Sequence, residues 1–208
     1  MTTTLGVTRA ITNLDETHSA FSLSPVDDLD FFWEWRTDLP ELTAAERTVL
    51  DRLRDRYRHY QTVGAITEST VSLILVSPLL ELLGLYDPPY WVKGEKYIKI
   101  EIEDGDRILD GLIDVLLLND QVWLVVLETK RYGFSVMQAL PQTLAYMAAS
   151  PESAPVFGLI TTGEDYLFVK LDPQKRCYDW SDKLTLSTRQ GNPLYQVTQV
   201  LRRLLHLA

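Results

Sequence analysis

Three ionisable residues, Asp114, Glu128 and Lys130, stand at the ends of two very apolar segments. The stretch DVLLLNDQVWLVVLETKR contains two aliphatic runs separated by Asn-Asp, and the second run stops at Glu-Thr-Lys. Glu128 and Lys130 are two residues apart, so on a strand they point to the same face. A tight turn at the Asn-Asp pair would fold Asp114 back to about the level of Glu128. The sequence therefore predicts that two carboxylates and an ammonium converge at one place on a sheet.

Such a cluster is costly to bury among apolar residues unless a partner offsets its charge. Mg²⁺ is the natural partner, because it prefers carboxylate and water oxygens and is commonly held by one or two carboxylates together with substrate phosphate. A lysine beside the ion can orient or activate an attacking water, or stabilise charge on the phosphate. The alternative is a semi-buried ion pair between Lys130 and one of the acids, with a structural role only.

The elements that must position this cluster indicate an α/β domain. Apolar periodicity, a capping box and terminal Gly or Pro residues predict helices at 43–60, 67–83, 136–149 and 193–207. Alternating or continuous apolar runs predict strands at 98–102, 107–118, 122–127, 156–161 and 166–171. This order of elements predicts a mixed β-sheet flanked by helices.

An Asp near the end of one strand, Glu-x-Lys ending the next and a preceding helix with an acid resemble the PD-(D/E)xK nuclease superfamily. More narrowly, GLIDVLLLNDQVWLVVLETKR is similar to the nuclease domain at the N-terminus of type I restriction enzyme motor subunits. The resemblance covers about residues 65–171 and implies a restriction-endonuclease-like mixed β-sheet core flanked by helices. It implies that Asp114 and Glu128 bind Mg²⁺, for which Mn²⁺ can substitute, and that Lys130 serves the attacking water.

The same resemblance extends to residues on two helices. Glu68, near the start of the second predicted helix, matches the helix acid that supports the metal site. Gln142 and Tyr146 are four apart on one helix face and resemble the Q-x-x-x-Y motif of the type I and recombination-nuclease branches, which implies that Gln142 belongs to the catalytic site. Ile113 stands where the superfamily has its proline, a frequent variation. The sequence has no G-x-x-x-x-G-K-[ST] motif, so we expect no ATP-driven translocation of DNA.

Two alternatives concern charged residues near the predicted site. Asp110 lies on the same strand face as Asp114 and is a rival metal ligand. The basic run RLRDRYRH at residues 52–59 could contact a DNA backbone, although most such runs are solvated helix faces.

The bulk composition predicts a cytoplasmic protein with one main domain. The 208 residues fit an α/β domain at 39–208 behind an irregular N-terminal arm at 1–38. The single Cys177 cannot form an internal disulfide, and the first residues lack the pattern of a signal peptide. The apolar windows are too short and too interrupted for a membrane span, so no membrane is expected as a partner.

The net charge of −9 argues against a general nucleic-acid coat protein, because phosphate binding needs clustered Lys and Arg. The leading hypothesis is a stand-alone, Mg²⁺-dependent DNA endonuclease. The rival hypothesis is a catalytically silent scaffold of the same fold, which binds metal or a partner and cleaves nothing. A third is a structural ion pair in a different fold. The negative charge favours either the rival hypothesis or a nuclease that borrows DNA affinity from a homodimer or a partner protein.

Overall fold

The computed structural model describes residues 3–101, 107–119, 122–130 and 133–205. The chain is an α/β protein, as predicted. The helices are α1 (Val7–Ala10), α2 (Leu14–Phe21), α3 (Ala44–Gln61), α4 (Glu68–Val71), α5 (Ser77–Leu82), α6 (Val136–Ala148) and α7 (Leu194–Leu205). The strands are β1 (Thr3–Gly6), β2 (Ser24–Pro25), β3 (Tyr90–Glu101), β4 (Arg107–Asn119), β5 (Val122–Thr129), β6 (Val156–Thr161), β7 (Asp165–Asp172), β8 (Cys177–Trp180) and β9 (Leu184–Thr185).

These strands form one mixed sheet in the order β1-β4-β5-β6-β7-β8-β2, with β3 paired to β4 and β9 to β7. The pairs β1–β4, β5–β6 and β2–β8 are parallel, and the remaining pairs are antiparallel. The predicted hairpin of β4 and β5 is present, with Val115 opposite Leu127. The sheet is therefore mixed, as the order of elements indicated.

Two apolar cores lie on opposite faces of this sheet. The first core packs α3, α4, α5 and α7 against the sheet, and the second packs α1, α2 and α6 against the other face. Successive residues of β6 separate the faces, since Leu159 belongs to the first core and Ile160 to the second. A π-helical segment, Ser72–Val76, joins α4 to α5. Within the described residues, no helix is both long enough and apolar enough to cross a membrane.

Helix α3 begins with the capping box that the sequence predicted. The Thr43 side chain accepts a hydrogen bond from the Glu46 backbone, and the Glu46 carboxylate accepts one from the Thr43 backbone. The same carboxylate pairs with Arg202 of α7. Hydrogen bonds from Arg202, first, and from Thr43 lower the pKa of Glu46 to about 2. The cap thus also ties α3 to the C-terminal helix.

The prediction of an irregular N-terminal arm at 1–38 was wrong. Strand β1 pairs with β4, and β2 pairs with β8. Thr17 of α2 is fully buried, and its hydroxyl donates to the Pro141 carbonyl of α6 at 3.4 Å. Glu34 is buried and paired with Lys170 of β7. The elements of this region are at most eight residues long, too short for a periodic pattern to show.

Strand β3 begins at Tyr90, whereas the sequence predicted a start at residue 98. The prediction began late because the period-two pattern of this strand is interrupted. Residues two apart on a regular strand face the same side, yet Ile113 of β4 belongs to the second core while Val115 packs against the first. On the facing part of β3, Glu95 has φ +48°, in the left-handed region. The regular alternation of side chains between the two faces of the sheet is therefore interrupted at Asp114 of β4.

Candidate active site

A gap in the sheet beside β4 forms the candidate site. Strand β3 pairs with β4 from residue 108 to residue 119, so β1 and β5 must share the other edge of β4. Parallel β1 ends opposite Asp110, and antiparallel β5 approaches from the other end, with Leu127 opposite Val115. The carboxyl ends of β1 and β5 therefore approach each other across residues 111–114 of β4.

A cavity of about 470 Å³ lies at this gap. Three of the predicted catalytic residues, Asp114, Lys130 and Gln142, line it, and all three are partly buried. The other lining residues are Gly6, Thr8, Tyr97, Asp110, Gly111, Leu112 and Tyr146. Residues that are far apart in the sequence thus meet at one place, and the N-terminal segment supplies one of the walls.

Lys130 is held at the cavity by its backbone. Strand β5 pairs in parallel with β6, with Glu128 opposite Ile160, and one residue beyond the strand the Lys130 amide donates to the Thr161 carbonyl at 2.7 Å. This bond extends the parallel ladder past the end of β5. The position of the lysine is therefore determined by the core of the sheet rather than by a loose connection.

Glu128 and Asp114 lie on adjacent strands, as predicted. Asp114 is next to Val115 on β4 and Glu128 is next to Leu127 on β5, so both lie on the same side of the Val115–Leu127 pair. The backbone of Glu128 belongs to β5, but its side chain lies outside the part of the chain that the structure describes. The role of Glu128 as a metal ligand therefore stays a prediction.

Helix α6 brings Gln142 and Tyr146 to the cavity. The Gln142 amide donates to the Tyr146 hydroxyl at 2.8 Å, and Tyr146 is buried. Gly111 of β4 makes this packing possible, because a Cβ there would lie 2.8 Å from both a ring carbon and the hydroxyl of Tyr146. The helix thus packs directly on the strand that carries Asp114.

The sequence did not single out Tyr97, which lies in the same cavity. Its hydroxyl donates to the carboxylate of Asp110 at 3.0 Å, and this hydrogen bond raises the pKa of Tyr97. Asp110 also lines the cavity, so it remains a rival of Asp114 as a metal ligand. Only the register of β3 against β4 could have indicated Tyr97, because it pairs the tyrosine with Leu112, close to Asp110 and Asp114.

The structure does not bring Glu68 into the cavity. Glu68 is exposed at the first position of α4 and is absent from the lining residues. Its helix nevertheless approaches the same end of the sheet, since a Cβ on Gly163 would lie 3.1 Å from the Val71 side chain. Gly163 lies two residues after Thr161, whose carbonyl accepts the hydrogen bond from the Lys130 amide. The role of Glu68 in supporting a metal therefore stays a prediction.

Arginines of the basic run in α3 contact other segments of the fold. Three of these arginines donate hydrogen bonds to backbone carbonyls of other segments, at 3.0–3.2 Å. The pairs are Arg54 with Gly191, Arg56 with Ile74, and Arg58 with Thr188. This arrangement favours the interpretation of the run as a packed and solvated helix face over a contact with DNA.

The chemistry of the donors suits a hard divalent cation. Asp110 and Asp114 offer carboxylate oxygens and Gln142 an amide oxygen, the ligand types that Mg²⁺ takes in proteins. Among the described side chains, no three His, Cys, Asp or Glu residues are grouped closely enough to hold a metal by themselves. The Glu128 side chain is not one of the described side chains, and it is the carboxylate that the sequence pairs with Asp114.

Comparison with known proteins adds no relative to this description. No family model matches the chain, and no curated protein matches it.

Proposed function

We propose that this protein is a Mg²⁺-dependent DNA endonuclease that acts in the cytoplasm. The observation that supports the proposal is the meeting of Asp114, Lys130 and Gln142 at one cavity in a gap of the sheet. The three residues come from two strand regions and a helix, and each is partly buried with a face on the cavity. Proteins depart from regular packing mostly at functional sites. A gap in the sheet that is lined by a carboxylate and a lysine is a departure of this kind.

The residues would divide the work of phosphodiester hydrolysis. Asp114, with Glu128 or Asp110, would hold Mg²⁺ (or Mn²⁺), and the bound ion would offset the charge that develops on the phosphate. The Lys130 ammonium would orient the attacking water toward phosphorus. The new bond joins the water oxygen to phosphorus, the bond to one sugar oxygen breaks, and the water's protons leave for solvent and the departing oxygen. Gln142, anchored by Tyr146, would position the substrate phosphate.

The net charge of −9 favours a second candidate, a scaffold that keeps the fold and binds metal or a partner without cleaving DNA. An acidic protein gains little nonspecific affinity for a polyanion. If the protein is a nuclease, we infer that a homodimer or a partner protein supplies additional affinity. The two candidates differ in one result, hydrolysis.

A cleavage assay separates them. Single-stranded, duplex and branched DNA are incubated with the protein and Mg²⁺, and the products are resolved by size. We expect the wild type to cut at least one substrate, and Lys130→Ala and Asp114→Ala to cut none. Lys183→Ala is the matched control, since this exposed lysine pairs with Asp165 away from the cavity. A wild-type protein that binds metal and leaves all three substrates intact would establish the scaffold instead.

A further inference from the structure

We propose that the exposed pair Tyr97 and Leu112 is a stacking platform for an unpaired base, and that the DNA bound at the cavity is single-stranded. The inference rests on the proposed function and names its substrate class. Both residues line the cavity that Asp114 and Lys130 also line. A base on the platform would therefore place its own backbone beside the predicted catalytic groups.

The platform is a cross-strand pair on the sheet. Tyr97 of β3 lies directly opposite Leu112 of β4, so the two side chains share a face and their Cβ atoms are about 4.5–5.5 Å apart. Each residue is 49% exposed. Ile98 and Ile100, next to Tyr97 on the other face of the same strand, are buried in the second core. The pair thus presents an apolar surface that belongs to neither core.

The tyrosine ring is oriented before any ligand arrives. Its hydroxyl donates to the Asp110 carboxylate at 3.0 Å, while the residue as a whole stays 49% exposed. An aromatic side chain that is already fixed loses little conformational entropy when a base stacks on it.

The size of the cavity suits an unpaired nucleotide. Its volume of about 470 Å³ falls within the range of small-ligand sites, about 300–1,000 Å³. A base inside a duplex is stacked and paired, so it must leave the helix or come from a single strand to enter such a site. The platform at the rim provides the stacking surface that replaces the neighbouring base.

The charge distribution points the same way. Duplex binding depends on neutralising many phosphates, and the chain carries a net charge of −9. In the binding of a single strand, stacking supplies part of the affinity, and it tolerates any base because each has a π-face. A short single strand has few phosphates, and lysines near the cavity can neutralise them. Lys99 is exposed on the same face as Tyr97, two residues along β3, and Lys130 lines the cavity.

Fluorescence anisotropy with a labelled oligothymidylate, in EDTA so that no cleavage occurs, tests the platform. A duplex of the same length is the competing probe. We expect the wild type to prefer the single strand, and Tyr97→Ala to weaken its binding roughly fivefold or more. Leu112→Ala should weaken it as well, and Tyr97→Phe, which keeps the ring, should weaken it less than Tyr97→Ala. Trp91→Ala is the control, because Trp91 is 63% exposed on the same strand but does not line the cavity.

The outcomes are distinguishable from those of the proposed function. Unchanged binding in both Tyr97→Ala and Leu112→Ala, each confirmed as folded by its melting curve, overturns the platform even if the wild type cleaves DNA. Equal or tighter binding of the duplex by the wild type, or no binding of either probe, also overturns it. Loss of single-strand binding in Tyr97→Ala, with no cleavage by the wild type, supports the platform and removes the nuclease.

Discussion

The chain places a lysine beside acidic residues in two very different settings. Lys170 of β7 and Glu34 are both buried and in direct contact. The Lys170 ammonium also donates to the Phe31 carbonyl at 2.8 Å and lies 5.0 Å from the centre of the Phe31 ring. Lys130, by contrast, is partly buried and lines a cavity together with Asp114.

Lys170 and Glu34 form a structural ion pair. The sequence also allowed this role for Lys130 and one of its neighbouring acids. Protein atoms cover most of both side chains in the Lys170–Glu34 pair, which leaves little room for a ligand. At Lys130 the sheet is interrupted instead, because β1 and β5 both end beside the same stretch of β4. The same residue types therefore pack inside the protein at Lys170 and line a cavity at Lys130.

The largest effect that we expect separates the two lysines by stability. Lys170→Met leaves the Glu34 carboxylate buried without its cation and should lower the free energy of unfolding by about 3–5 kcal/mol. Lys130→Met should lower it by less than about 1 kcal/mol, because a partly exposed charge is solvated when its neighbours change. Urea denaturation at neutral pH measures both. Equal losses would mean that Lys130 is a structural residue like Lys170.

The double variant Glu34→Leu/Lys170→Met sharpens that result. One carboxylate oxygen of Glu34 is buried without a hydrogen-bond partner in the described chain, so the pair is not fully satisfied. Replacing both members with apolar side chains should recover much of the stability that Lys170→Met loses. A double variant as unstable as the single one would show that Lys170 acts through its other contacts, at Phe31.

A smaller effect concerns the wall of the cavity. In Gly111→Ala the new methyl group would lie 2.8 Å from Tyr146, so the ring must move, and we expect a loss of about 1–3 kcal/mol in the free energy of unfolding. Gly94→Ala is the control on the facing strand, where the nearest atom, the Asp114 carbonyl oxygen, is 3.8 Å away. Thermal denaturation of both variants checks this. If Gly111→Ala is no less stable than Gly94→Ala, the wall is looser than the distances indicate.

The smallest effect lies in a third charged setting, at the start of α3. The folded-state pKa of Glu46, about 2, is below its ordinary value of 4.5, because Arg202 and Thr43 bind the carboxylate. Its contribution to stability is therefore present above pH 4.5 and is lost as the pH falls toward 2. Glu46→Gln should cost about 1 kcal/mol near neutral pH and flatten the decline in acid. Parallel urea curves at about pH 7 and pH 3 measure the difference, and an unchanged acid decline would contradict it.

Most of the elements could be predicted because their signals are local. The capping box of Thr43 and Glu46 and the apolar runs of β4 and β5 each lie within a short stretch of sequence. The site itself was only partly predictable. Asp114 and Glu128 lie on two antiparallel strands that are consecutive in the sequence, so their proximity follows from one local pairing.

The rest of the cavity depends on contacts that no local pattern encodes. Gly6 enters because β1 pairs with β4 opposite Asp110, far along the chain. Tyr97 enters through the register of β3, and the left-handed backbone of Glu95 interrupts the period-two pattern that would have indicated this register. Such pairings are decided by the packing of the whole sheet, which is why the N-terminal arm was also misjudged.

The central claim, that the Lys130 cavity binds a divalent metal through Asp114, is tested most directly by thermal melting with and without millimolar Mg²⁺ or Mn²⁺. A ligand that binds only the folded state raises the melting temperature by mass action. We predict a rise for the wild type, loss of most of it in Asp114→Ala, and its retention in Lys130→Ala, because the lysine is not a ligand. A wild-type melting temperature that is indifferent to both ions, or an undiminished rise in Asp114→Ala, would contradict the claim.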